Sequence, residues 1–132
     1  MPSSPGRVLV VEDEPEVGAM LLEVLVQLGY TVELADRGAG ALQHVPVFEP
    51  DVVLLDLTMP GSRGDETYRD VRAIRADIPI ILMSGYSHQE ASTLFEGEDL
   101  AGFLQKPFRL ERLRELVRAA TSRASDQVMT AR

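Results

Sequence analysis

The chain has 132 residues, 45% of them apolar and 26% charged, which suits one compact domain with a buried core and excludes wholesale disorder. Lys and Arg number 13 against 21 Asp and Glu, a net charge of −8 that repels phosphate backbones and anionic lipid, so neither a nucleic-acid nor a membrane-surface partner is expected. Cysteine is absent, which removes disulfide scaffolds, Cys-ligated zinc and thiol catalysis from consideration.

Residues 1–6 are rich in Pro, Ser and Gly and read as a flexible lead without the apolar region of a signal peptide. The first strand is expected at Arg7–Val11 (RVLVV). A helix follows, because Val17, Met20, Leu21, Val24, Leu25 and Leu28 make one apolar stripe at helical spacing, and Gly29 stops it. Thr31–Ala35 (TVELA) is the second strand, and charged Glu33 in its middle suits a sheet edge. A weaker helix fits 38–45. Asp51–Leu55 (DVVLL) and Pro79–Met83 (PIILM) are the third and fourth strands, separated by a helix over 65–76. Like the first strand they are almost continuously apolar, the pattern of strands covered on both faces. A helix over 88–96 leads to a fifth strand, Ala101–Leu104, and Leu110, Leu113, Val117 and Ala120 mark the last helix. Periodicity then fades, so 7–122 reads as the domain and 123–132 as a tail or linker. No apolar run approaches the ~20 residues needed to span a bilayer, and a cytoplasmic protein is expected. Alternating strands and helices predict an α/β fold: a doubly wound, five-stranded parallel sheet with five helices and right-handed crossovers.

In such a sheet, ligands sit beyond the carboxyl ends of the strands. Glu12, Asp13 and Glu14 follow the first strand, Asp56 the third, Ser84-Gly85 the fourth and Lys106-Pro107 the fifth. Each has an ordinary explanation taken singly. The acidic run before Pro15 could cap a helix, Asp56 could cap a loop, Ser-Gly is a common turn, and a lone lysine is usually solvated. Together they bring carboxylates, a hydroxyl and an ammonium to one rim. Clustered carboxylates repel one another, and an oxygen-only donor set calls for a hard divalent cation, Mg²⁺ or Mn²⁺. Glu14 begins the helix and is expected to point elsewhere. His44 and His88 have no neighbours at metal-ligand spacing and are given no role.

Glu12-Asp13, Asp56 with Met59-Pro60-Gly61, Ser84-Gly85 and Lys106-Pro107-Phe108, in this order and spacing, resemble the receiver domain of bacterial two-component response regulators. The resemblance covers about residues 7–121. It implies a flavodoxin-like fold with strand order 2-1-3-4-5. It implies Asp56 as the phosphoacceptor, fed from a phosphohistidine on a histidine kinase or histidine phosphotransfer protein. It implies Mg²⁺ on Asp13, Asp56 and the Thr58 carbonyl with help from Glu12, and Ser84 and Lys106 on the phosphoryl group. It also implies a cis bond before Pro107, Ser84 and Phe103 as the switch pair, and a partner or self-association face at 88–120. The segments around Ser84 and Lys106 are similar to receivers attached to hybrid sensor histidine kinases. Glu12 replaces the commoner Asp, Ser84 the commoner Thr, and Phe103 lacks a tyrosine hydroxyl. Two other readings compete. A haloacid-dehalogenase-like phosphatase also phosphorylates an aspartate, but it places that residue after the first strand with a second Asp two positions on, where this chain has Thr58. A degenerate receiver would bind partners without phosphorylation, and the complete acidic set argues against it.

Overall fold

The computed structural model describes residues 6–12, 14–35, 38–56, 64–85 and 100–130. Its elements in chain order are β1 (Arg7–Val11), α1 (Pro15–Gln27), β2 (Thr31–Ala35), α2 (Gly38–Phe48), β3 (Val52–Asp56), α3 (Gly64–Ile74), β4 (Ile80–Ser84), β5 (Gly102–Gln105) and α4 (Leu110–Thr130). The strands form one parallel sheet in the order β2-β1-β3-β4-β5. The expected flavodoxin-like sheet is therefore present, with β2 and its Glu33 at an edge. Four helices, not five, lie among the described residues; the segment 88–96, where the remaining helix is expected, lies outside them.

Alternation along each strand divides the core into two layers. Leu9, Val11, Val53, Leu55, Ile80 and Leu82 pack on one face with Val45 of α2 and Tyr68 and Val71 of α3. Val8, Val10, Val52, Leu54, Ile81 and Met83 pack on the other with Leu21 and Leu25 of α1 and Leu113, Val117 and Ala120 of α4. Every residue of β3 and β4 is buried, which is why those segments read as unbroken apolar runs. The α1 stripe is narrower than its sequence suggests. Leu21 and Leu25 are fully buried, whereas Met20 and Leu28 at its margins are partly exposed.

The helix ends follow local chemistry. Pro15 opens α1 with its fixed φ. Gly29, at φ 102°, closes it: the N–H of Gly29 donates to the Val26 carbonyl and that of Tyr30 to the Leu25 carbonyl. α2 runs past the expected residue 45 and through Pro46, which falls in its last turn, and ends at Glu49 with φ 53° just before Pro50. In α4 the backbone stays helical to Thr130, beyond residue 122 where apolar periodicity fades. No Gly or Pro interrupts residues 109–132, so nothing local breaks the hydrogen-bond ladder. No helix among the described residues is long and apolar enough to cross a membrane.

The two-layer core makes a test. Leu54 is fully buried at the centre of β3, and Leu54→Ala is expected to cost about 2–5 kcal/mol in chemical denaturation. Val47, 81% exposed on α2, should change stability by less than about 0.5 kcal/mol when cut to alanine.

Candidate functional site

The ends of three strands build the site. β1 and β3 are neighbours in the sheet, with Val11 opposite Leu55, so the residues that follow, Glu12 and Asp56, come side by side at the same end. β5 lies at the far edge and ends at Gln105. The backbone N–H of Lys106 donates to the Ser84 carbonyl at 2.6 Å, extending the β4–β5 pairing by one residue. The Lys106–Pro107 peptide is cis. From this loop the lysine side chain crosses back over the strand ends.

Lys106 Nζ lies 3.1 Å from Glu12 Oε1, 3.2 Å from Asp56 Oδ2 and 3.2 Å from Glu14 Oε1. The Glu12 and Asp56 carboxylates are buried, and Glu14 is mostly exposed. Carboxylate oxygens of these three acids all lie within 4.8 Å of one another. The Glu14 N–H also donates to Glu12 Oε2 at 3.2 Å, which fixes the second oxygen of the buried acid. Ser84 is fully buried as the last residue of β4, opposite Gln105. Asp13 and Thr58, expected to hold the metal with Glu12 and Asp56, lie outside the described residues, as does the 88–99 part of the expected partner face.

The geometry revises one reading. Glu14 does begin α1, but its side chain makes no capping bond and turns to Lys106 instead of elsewhere. The missed signal was the residue type: Glu is a poor N-cap, so a Glu there is free to serve another group.

Burial raises the Glu12 carboxyl first, and a hydrogen bond with Asp56 and the Asp56 charge raise it further. Lys106 and the Glu14 N–H offset only part of this, leaving the group at about 7 instead of 4.5. Burial by itself would lower Lys106. The hydrogen bond to Glu12 and the charges of Asp56 and Glu12 outweigh it, so the ammonium is held above its ordinary 10.5. The site thus carries a firmly protonated lysine and a buried Glu12 carboxyl that burial and Asp56 hold well above the ordinary carboxylate range. It is short of positive charge, and its donors are all oxygens, the combination that fits a hard divalent cation.

Residues 8–118 match the response regulator receiver domain. The chain belongs to this family. Response regulator MprA from Mycobacterium sp. (strain KMS) is 37% identical over 123 residues, covering 92% of this chain and 53% of that protein. Nitrogen assimilation regulatory protein NtrX from Azorhizobium caulinodans is 28% identical over 108 residues, covering 80% of this chain and 24% of NtrX. The chain therefore spans about half the length of the MprA relatives and about a quarter of NtrX. Among solved structures, response regulator TrrA from Thermotoga maritima in complex with Mg²⁺-BeF superposes with TM-score 0.76 at 34% identity, covering 86% of this chain and 97% of TrrA. The receiver domain of a modulated diguanylate cyclase from Desulfovibrio desulfuricans G20 gives TM-score 0.80 at 28% identity, covering 92% and 98%. This receiver domain is a component of two-component signalling.

The shifted Glu12 carboxyl has a consequence for stability. A carboxyl held above its unfolded value binds its proton more tightly in the folded state, so its contribution favours folding at low pH. That contribution is complete below about 4.5 and is lost as pH rises through about 7. With divalent ions chelated, wild type is expected to lose stability relative to Glu12→Gln between pH 4.5 and 7.5, by about 3 kcal/mol at most. Urea unfolding of both proteins across that range measures the difference.

Proposed function

We propose that the chain is a phosphorylation-controlled receiver in which Asp56 takes a phosphoryl group from a phosphohistidine. The donor class is a histidine kinase or a histidine phosphotransfer protein, and the domain is residues 7–122. One observation carries the reading: the buried Asp56 carboxylate sits 3.2 Å from the Lys106 ammonium at the carboxyl end of the sheet, with Glu12 beside it on the same lysine. Family membership and the Mg²⁺-BeF complex of the TrrA relative support it.

In the transfer, the P–N bond to the donor imidazole breaks, a P–O bond to an Asp56 carboxylate oxygen forms, and the leaving nitrogen keeps the bonding electron pair. Asp56 goes from one negative charge to about two. Lys106 then neutralises a phosphoryl oxygen, and Ser84 donates its hydroxyl to another. Glu12, Asp13, Asp56 and the Thr58 carbonyl would hold Mg²⁺, which when bound neutralises charge on the phosphoryl oxygens. Mn²⁺ suits the same donors. No finding favours the phosphatase or the unphosphorylated binding module.

Ser84 and Phe103 are assigned as the switch. Phe103 is half-buried on β5, packed against the core layer of α2 and α3. It borders a groove of about 370 Å³ with Leu104, Gln105, Phe108, Arg109 and Arg112. Its ring is therefore neither locked in the core nor free in solvent. Inward rotation on phosphorylation would bury the rest of the ring and alter the face presented by β5 and α4 to a partner.

Asp56→Asn is expected to abolish incorporation of one hydroxylamine-labile phosphoryl group from acetyl phosphate and Mg²⁺, and undiminished labelling would refute the assignment. In the same assay Asp13→Ala should weaken Mg²⁺ binding by about tenfold or more, a loss typical of disturbed metal sites. The switch is checked separately by NMR. Addition of beryllofluoride should move the Phe103 ring resonances, and rings that stay still while signals near Asp56 shift would leave the aromatic out of the mechanism.

A further inference from the structure

We propose that Glu14 is a positioning residue that holds Lys106 in the unphosphorylated state and is the partner Lys106 gives up when a phosphoryl oxygen arrives. The proposal rests on the reading of Asp56 as phosphoacceptor and concerns how that site is regulated.

An ammonium has three N–H donors. Among the described residues its three close contacts are Glu12 at 3.1 Å, Glu14 at 3.2 Å and Asp56 at 3.2 Å, one for each donor. A phosphoryl oxygen on Asp56 can be paired only if one carboxylate lets go. The Glu12 side chain is 0% exposed, and removing its cation would leave a buried carboxyl poorly compensated. Phosphorylation leaves Asp56 one carbonyl oxygen beside the oxygen bonded to phosphorus, and that carbonyl can still accept from the lysine. The Glu14 side chain is 64% exposed, so its carboxylate passes from the lysine to water at little cost. Glu14 is therefore the partner cheapest to release.

A second observation agrees. Glu14 occupies the N-cap of α1 with extended backbone, yet its side chain makes no capping bond. Its carboxylate serves the lysine and not the helix. The pair consequently ties the start of α1 to the loop between β5 and α4, and phosphorylation unties them. The contact competes with the phosphoryl group, so removing it should strengthen phosphoryl-state binding by about 1.5- to 5-fold, the range of an exposed ion pair.

The test titrates beryllofluoride into wild type, Glu14→Gln and Glu14→Asp at saturating Mg²⁺, using the whole chain. Glu14→Gln removes the charge, and Glu14→Asp keeps it on a stem one methylene too short to hold the lysine. Both variants should bind about 1.5- to 5-fold more tightly. In wild type, the ¹³C resonance of the Glu14 carboxylate should move on saturation toward its position in Lys106→Met. Tighter binding by Glu14→Gln alone would replace the tether with a general charge effect and overturn the proposal. Unchanged affinities, weaker binding in both variants, or an unmoved Glu14 resonance would also overturn it. Folded wild-type protein that fails to bind beryllofluoride, and fails to be phosphorylated at Asp56, would instead bring down the phosphoacceptor reading itself.

Discussion

The site depends on one electrostatic constraint: two buried carboxylates, Glu12 and Asp56, stand side by side and need positive charge. Like charges removed from water raise one another's protonation and cost stability unless a cation is supplied. Lys106 supplies one, reaching both acids at 3.1 and 3.2 Å. Its own charge is secured by the same contacts, which outweigh the burial that would otherwise discharge it. The arrangement still holds more negative than positive charge. A divalent cation completes that balance, and a phosphoryl group adds negative charge that the same cations must absorb.

The sheet exists in a form that permits this. Both faces of β1, β3 and β4 are covered by helices, so the strand interiors carry no polar side chains until their carboxyl ends. There the chain leaves the core and polar groups emerge together. Because β1 and β3 pair directly, their acids are adjacent without any loop having to fold back. The lysine comes from the edge strand, two positions from β3 and three from β1, and must span β4 to reach them. A long, flexible ammonium side chain is suited to that reach, and the pairing of the Lys106 N–H with the Ser84 carbonyl anchors its base.

Much of this was legible in the residues. Unbroken apolar runs in β3 and β4 reflect burial on both faces, and Glu33 marks an edge because a charge tolerates only a partly solvated strand. Asp56 was identifiable because it ends such a run, and Lys106 because it follows the last strand at the same rim. Glu14 was not. At the first turn of a helix an acid is ordinary, since it complements the helix dipole, and that explanation accounts for the residue without any partner. Its contact with Lys106 spans 92 positions in sequence, and no local pattern records a contact of that separation. The extents of α2 and α4 were also underread, because apolar periodicity reports burial and not the backbone ladder. α4 continues past its buried face because no Gly or Pro stops it, whereas α2 carries Pro46 in its last turn.

By itself the sequence determined the class of fold and the identity of the groups at the strand ends. Those follow from alternation, apolar runs and residue type, which are local properties of the chain. Only the tertiary structure decided how the groups share charge. That Glu12 is sealed from solvent while Glu14 is not, and that three carboxylates divide the three donors of one lysine, depend on where the edge strand delivers Lys106. Burial and distance set these energies, and neither is a property of a residue until distant strands have been brought together.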